Sequence, residues 1–359
     1  MKHLSVTMLV VGACLLLAGH ALSDGLSWQG VHADALKCYR QGNCPNPIER
    51  AALAAKTAEL QFGPQSSNAL NSLSLLADVQ KSRGNWIEAA RLVRKVQLAK
   101  EKKFGPSHPN TLKSLIELAN ITVLTGNVEE GESLYKQAIA LSEEAGRKDD
   151  LWIAPALSGL GAVCAAQHRY NQAEDLYQQA LDIYEHHTKY QEDLVPTVAR
   201  TLTELGDLNR VQGRYEPAAA YYDQAVRRYA EAGPAGKLNV PAVLFRQGET
   251  YAEWGKPARA INCFQTGLGI HEKEFGMNDI TAAALLKRMA DLYRDGGNPG
   301  LAGRLYTKCV SVLEMCSSQN CPLRASTAKS LAEINHAAAG YEGQTRFVGI
   351  SSPQPVDND

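Results

Sequence analysis

The sequence lacks an excess of either charge: 37 lysines and arginines stand against 38 aspartates and glutamates, for a formal net charge of −1. No charged tail appears either, which argues against a nucleic-acid or anionic-lipid binder acting by bulk electrostatics. The short signatures of catalysis are missing too, with no HExxH, no phosphate-binding glycine loop and no GxSxG. Beyond the first two dozen residues no apolar run approaches membrane-spanning length. What is present is globular in composition, 45% hydrophobic and 21% charged, which speaks against wholesale disorder and against a multi-span membrane protein. A chain of 359 residues fills two or three ordinary domains or one long repeat array.

The N-terminus reads separately. Lys2 and His3 precede an apolar run, Leu4 to Leu17, that ends in the small residues Ala18, Gly19 and Ala21 to Ser23. This predicts a secretory signal peptide over 1–23, a mature chain starting at Asp24, and a periplasmic or secreted protein without a transmembrane segment after cleavage. Two other readings stand beside it. Val11, Gly12, Ala13, Cys14 resembles a bacterial lipoprotein box, which would anchor the chain by lipid through Cys14, and the run could remain as a short uncleaved anchor.

Internal repetition dominates the rest. Gly84, Gly126, His168, Gly213, Gly255 and Gly297 occupy one equivalent position, at intervals of 42, 42, 45, 42 and 42. Seven residues before each lies a small residue: Ala77, Ala119, Gly161, Gly206, Gly248, Ala290. Eleven before stands leucine: Leu73, Leu115, Leu157, Leu202, Leu244, Leu286. Five after, the chain is small again at Ala89, Gly131, Ala173, Ala218, Ala260 and Ala302, and nine after come Tyr135, Tyr177, Tyr222, Phe264 and Tyr306, with Val93 the exception. Three- and four-residue steps within each half predict two amphipathic helices joined by a turn at the marked position. The small residues let the helices approach, and the aromatic is expected to fill the space between one pair and the next. Pro257 and Pro299 suit first helical positions, with Asn298 as an N-cap.

The columns resemble the tetratricopeptide family: leucine, then leucine beside a small residue, then alanine, aromatic and alanine, as in Leu202, Leu205, Gly206, Ala218, Tyr222 and Ala225. The repeat is longer than the usual one by about two helical turns. With the linker Phe104, Gly105, Pro106, Ser107, His108, Pro109 it is similar to the long repeat of kinesin light chains and many bacterial proteins. The resemblance implies an all-α fold, a right-handed α-solenoid of antiparallel helix pairs with six repeats over 68–320. A degenerate leading pair is expected over 24–67, because Gly42 with Ala35 and Phe62, Gly63, Pro64 continue the interval. A capping helix is expected over 321–342 and a disordered tail over 343–359.

Seven cysteines remain after Cys14 leaves with the signal, an odd number. Cys38 with Cys44 and Cys316 with Cys321 flank turns at the two ends of the array, where an exported protein could form stapling disulfides. Free thiols are the other reading. Zinc would need four ligands together and these pairs lie at opposite ends, so no metal and no cofactor are expected. Cys164, Cys263 and Cys309 fall at helix-packing positions and read as small buried residues rather than nucleophiles. His186 and His187 end a helix and read as solvated.

The family's concave face is lined by the first helix of each pair. Its inward positions fall here on Asn71, Ser74 and Asp78, then on Lys113, Ile116 and Asn120, and next on Ser158 and Ala162. The later repeats supply Arg200, Thr203, Asp207 and Arg210, then Phe245 and Glu249, and last Lys287, Asp291 and Arg294. The resemblance thus implies a groove that binds a protein or extended peptide through hydrogen bonds and charge pairs. Ile116 stands where chaperone-binding members carry lysine, and the paired asparagines common in kinesin-type repeats are missing. Neither of those binding modes is implied. The expectation is a non-catalytic interaction scaffold, or alternatively a self-associating scaffold of the cell envelope.

Overall fold

The computed structural model describes residues 27–42, 44–147, 149–276, 279–315 and 323–334. Four helix pairs come first: α1 (Trp28–Gln41) with α2 (Pro47–Phe62), α3 (Ser67–Ser82) with α4 (Trp86–Phe104), α5 (Pro109–Leu124) with α6 (Val128–Glu144), and α7 (Ala154–Ala166) with α8 (Tyr170–Thr188). A 3-10 turn, Glu192–Leu194, accommodates the three extra residues of the one 45-residue interval. Beyond it lie α9 (Val195–Val211), α10 (Tyr215–Glu231), the one-turn α11 (Gly233–Lys237), α12 (Val240–Glu253), α13 (Pro257–Phe275), α14 (Ile280–Asp295) and α15 (Pro299–Met315). Residues 323–334 form a last helix, α16. No strand occurs among the described residues, and consecutive helices pack as pairs, as the all-α solenoid reading requires. The chain divides into two compact units, Met1–Tyr184 and Glu185–Asp359, the division falling inside α8. The expected signal peptide, Cys14, Cys316, Cys321 and the expected tail fall outside the described residues.

Each turn within a pair is built the same way. The residue at the mark has a left-handed backbone, with φ from 71° to 91° at Gly84, Gly126, Gly213, Gly255 and Gly297. The next amide reaches back five residues, as Asn85 N to Gln80 O, Arg214 N to Asn209 O and Asn298 N to Tyr293 O show, at 2.8–3.0 Å. This is the Schellman closure, which takes a left-handed residue just past the helix. In α7–α8 the mark is His168, with φ 61°, so a β-carbon sits where its neighbours have none. Its Nδ1 lies 2.7 Å from the Tyr170 hydroxyl, a contact that offsets part of the strain. His168→Gly is expected to raise stability by up to about 1 kcal/mol in urea denaturation. A loss of stability would show that the Tyr170 contact outweighs the backbone strain.

The small residues and aromatics form the interior. Ala77, Ala119 and Ala290 are fully buried, as are Tyr222, Phe264 and Tyr306. The aromatics fill space within their own pair as well as toward the next. A β-carbon on Gly206 would lie 2.7 Å from the Tyr222 ring, one on Gly248 2.4 Å from Phe264, and one on Gly161 3.1 Å from Tyr177. Each ring therefore lies over the small residue of its own pair, because the hairpin brings the two positions face to face. The rings also reach forward: Tyr135 approaches Gly159 of the following pair, Phe264 packs with Leu285 and Met289 on α14, and Tyr306 packs with Leu331 and Ile334 on α16. Pro257 and Pro299 open α13 and α15, and the Asn298 side chain accepts from the Leu301 amide at 3.2 Å.

The leading pair packs on α3 mainly through α2, and α1 adds polar contacts of its own. Trp28 Nε1 donates to Ser72 Oγ at 2.9 Å, His32 Nδ1 lies 3.0 Å from the same oxygen, and the Trp28 ring meets Phe62 edge-on at 5.7 Å. Burial holds the His32 imidazole below its usual value of 6.5, so the docked pair favours the neutral ring. A depressed folded-state value means stability that is present above the unfolded pKa of about 6.5 and lost as pH falls through the lowered value. Intrinsic-rate-corrected hydrogen exchange is expected to show α1 losing protection on acidification below about pH 6 while α5 keeps its own.

Candidate functional site: the face of the first helices

Salt bridges show how successive first helices stand side by side. In the N-terminal unit Lys81 on α3 bonds Asp78 at 2.7 Å and Glu117 on α5 at 2.5 Å. Burial works against the Lys81 charge, but the two carboxylates outweigh it and raise its pKa. In the C-terminal unit Asp207 on α9 pairs with Arg246 on α12, and Arg210 with Glu253 at 2.7 Å. Glu249 on α12 then accepts from Nε and Nη2 of Arg288 on α14, at 2.5 and 3.0 Å. Asp207 and Glu249, each one residue after the small position, thus reach cations on the next first helix.

The same acids serve the tyrosines. The Tyr222 hydroxyl donates to Asp207 Oδ1 at 2.7 Å, Tyr306 to Asp291 Oδ1 at 2.6 Å, and Tyr135 to Asn120 Oδ1. Burial pushes the Tyr135 hydroxyl up to about 12, and Tyr222 and Tyr306 are raised from the same cause, so all three stay protonated as donors. Where the aromatic is Phe264, the equivalent Glu249 carries no tyrosine bond and is given to Arg288. Asp291 is the most loaded of the row, since Lys287 also reaches it at 2.9 Å and Arg288 at 3.4 Å.

Several residues expected to bind a peptide are therefore engaged within the chain. Asp78, Asp207, Arg210, Glu249, Lys287 and Asp291 hold internal ion pairs, Asn120 holds Tyr135, and Arg294 pairs with Asp295 at 2.9 Å. Phe245 is half-buried against Phe264, with ring centroids 5.6 Å apart. Asn71, Lys113, Asn120 and Arg200 are the exposed members; Lys113 makes no ion pair among the described residues, and Arg200 comes only within 4.0 Å of Glu204. Glu204 was missed by sequence reasoning. Burial pushes its carboxyl up against the pull of Arg200, and its Oε2 lacks a hydrogen-bond partner among the described residues. Lys81, Glu117, Arg246, Glu253 and Arg288 were missed as well. A search for opposite charges 36, 39 or 43 residues apart would have found them, because those separations join consecutive first helices.

Cys38 and Cys44, at the turn of the leading pair, have α-carbons 5.2 Å apart, within the range a disulfide spans. Cys164, Cys263 and Cys309 are buried thiols. Burial raises the first two, Cys263 to about 11, the opposite of what an activated nucleophile needs. Among the described residues no group of three His, Cys, Asp or Glu could hold a metal ion, and no helix is long and apolar enough to cross a membrane.

Comparison with known proteins agrees with this architecture. No curated protein matches the sequence. Among solved structures the chain resembles BtubC (BKLC) from P. vanneervenii, at 17% identity and a TM-score of 0.54 over 70% of this chain and 93% of that one. It also resembles a tetratricopeptide repeat protein from Parabacteroides merdae, at 14% identity and a TM-score of 0.51 over 86% and 98%. The apo form of RapI aligns at 13% identity with a TM-score of 0.54 over 81% and 98%. At such identities the likeness is one of fold. Tetratricopeptide repeats are in general scaffolds for protein–protein interaction rather than catalysts. The family profile of the tetratricopeptide repeat matches residues 111–186 and 197–273, and over those residues the chain carries tetratricopeptide repeats.

Proposed function

We propose that this protein is a non-catalytic, exported scaffold that holds a partner protein or extended peptide on the face of its first helices. The observation that carries the reading is the contrast between the two units. The C-terminal face has nearly all its charges joined to one another, whereas α3 and α5 offer exposed Asn71 and Lys113 beside Asn120 with few internal pairs. Exposed polar groups on a rigid helical support suit an extended segment, because their positions are set before the ligand arrives.

Crosslinking capture from the native cell envelope tests the reading, comparing the wild type with Asn71→Ala/Lys113→Glu. Both sites are exposed, so circular dichroism should be unchanged. Capture of a specific partner by the wild type and its loss in the variant is expected; equal capture by both, or capture only of further copies of the chain, would move the function to self-association. Export predicts a mature N-terminus at Asp24, readable by intact mass, and a Cys38–Cys44 disulfide recoverable by non-reducing peptide mapping.

A further inference from the structure

The leading pair is joined differently from the later ones. Residues 42–46 link α1 to α2, whereas residues 83–85, 125–127 and their equivalents link the later pairs. Asn46, at the N-cap of α2, has φ 54° and makes no side-chain cap bond, so capping does not hold this turn. Cys38 and Cys44 face each other across it, with α-carbons 5.2 Å apart. Cys38 is 3% exposed and Cys44 is half-buried.

Little else holds α1. Apart from Cys38 it buries Val31 and Ala35, whereas α2 buries Ala51, Ala54, Ala55 and Ala58 and packs along α3. Trp28 and His32 share the single Ser72 hydroxyl, and Asp34 meets Arg50 at 2.5 Å on the surface, where an ion pair contributes little. The two helices are therefore held unequally, α2 by packing on α3 and α1 by a small apolar contact and the cysteine link.

We propose that α1 is a redox-latched helix, docked while Cys38 and Cys44 are joined and released when both are thiols. The latch is independent of the scaffold reading; its consequence, that release takes Trp28 and His32 off the face carrying Asn71, rests on that reading. A dithiol reductant opens the link. Its thiolate bonds to Cys44 Sγ, the more accessible sulfur, and the Cys38–Cys44 bond breaks with its electron pair on Cys38 Sγ, which takes up a proton. The second thiolate of the reductant then displaces Cys44 Sγ, which is protonated in turn, so the reductant ends as a disulfide and the protein gains two electrons and two protons. Cys38 departs as an anion inside the pair, an unfavourable place until α1 swings out to water. A disulfide oxidant runs the same steps backwards. Removing a link of sequence separation 6 also frees the undocked chain, and the loop-closure entropy so regained weakens docking about fifty-fold.

The test is hydrogen exchange, corrected for intrinsic rates, on the full oxidised chain with and without dithiothreitol. Protection of the α1 amides is expected to fall about fifty-fold on reduction while α2 and α5 keep theirs. Cys38→Ala/Cys44→Ala should show the low α1 protection without reductant and no further change with it, which excludes an effect through the buried thiols Cys164, Cys263 and Cys309. Unchanged α1 protection on reduction would overturn the latch. So would α1 and α2 losing protection together, or alkylation of Cys38 and Cys44 before any reductant is added. Partner capture should fall when α1 is released; if α1 leaves and capture through Asn71 and Lys113 persists, the consequence for the face is overturned and the scaffold reading stands.

Discussion

Gly248→Ala is expected to destabilise the C-terminal unit by about 3 kcal/mol, the upper part of the range for forcing one carbon into a packed core. The added β-carbon would stand 2.4 Å from Cε1 of Phe264 and 2.8 Å from two further ring atoms. Phe264 is fully buried in a cluster with Ala260, Leu285 and Met289, so it has no rotamer to retreat into and the helices must separate. Gly267→Ala on the partner helix is the matched control. Its β-carbon would meet nothing closer than 3.4 Å, so the substitution should be neutral or stabilising by up to about 1 kcal/mol through the usual advantage of alanine in a helix. Urea unfolding followed by circular dichroism separates the two. Equal effects would show that the close approach of α12 and α13 does not depend on the missing side chain.

Asp291→Ala should cost about 3–5 kcal/mol, the cost of breaking a buried ion pair by removing one partner. The carboxylate is buried, and its loss strips the acceptor from the Tyr306 hydroxyl and the counter-charge from Lys287 and Arg288 at once. Tyr306 is itself fully buried, so its hydroxyl would be left without a partner in the interior. Asp291→Asn keeps an acceptor for the tyrosine and removes only the charge, and should recover about half of the loss. A double-mutant cycle with Tyr306→Phe reads the tyrosine share directly: coupling below about 0.5 kcal/mol would mean that the cations, not the hydroxyl, depend on Asp291. Glu253→Ala breaks an exposed pair with Arg210 and should cost less than about 1 kcal/mol.

These expectations bear on how the first-helix face works. An acid that holds a tyrosine of its own pair and an arginine of the next pair fixes the spacing of adjacent repeats, and a ligand would have to displace both to use it. The exposed groups without such commitments, Asn71 and Lys113, lie in the N-terminal unit. A groove therefore cannot be read as a simple list of inward positions.

The repeat columns determined the helices, the turns and their pairing, because those depend on period and on backbone conformation within some forty residues. Leucine, small residue and aromatic recur at separations that only two packed helices satisfy, and the marked glycines stand where the Schellman turn needs a left-handed residue. The same logic exposed His168 as the one departure. The resemblance carried by those columns also named the face. What only the tertiary structure decided is which way each aromatic turns and which charges survive for a partner. The ring of Tyr222 over Gly206, the bond from Tyr306 to Asp291 and the reach of Arg288 to Glu249 depend on the distance between helices. Side-chain pairing across repeats is a competition among several near-equal partners, and its outcome follows from geometry that no spacing along the chain contains.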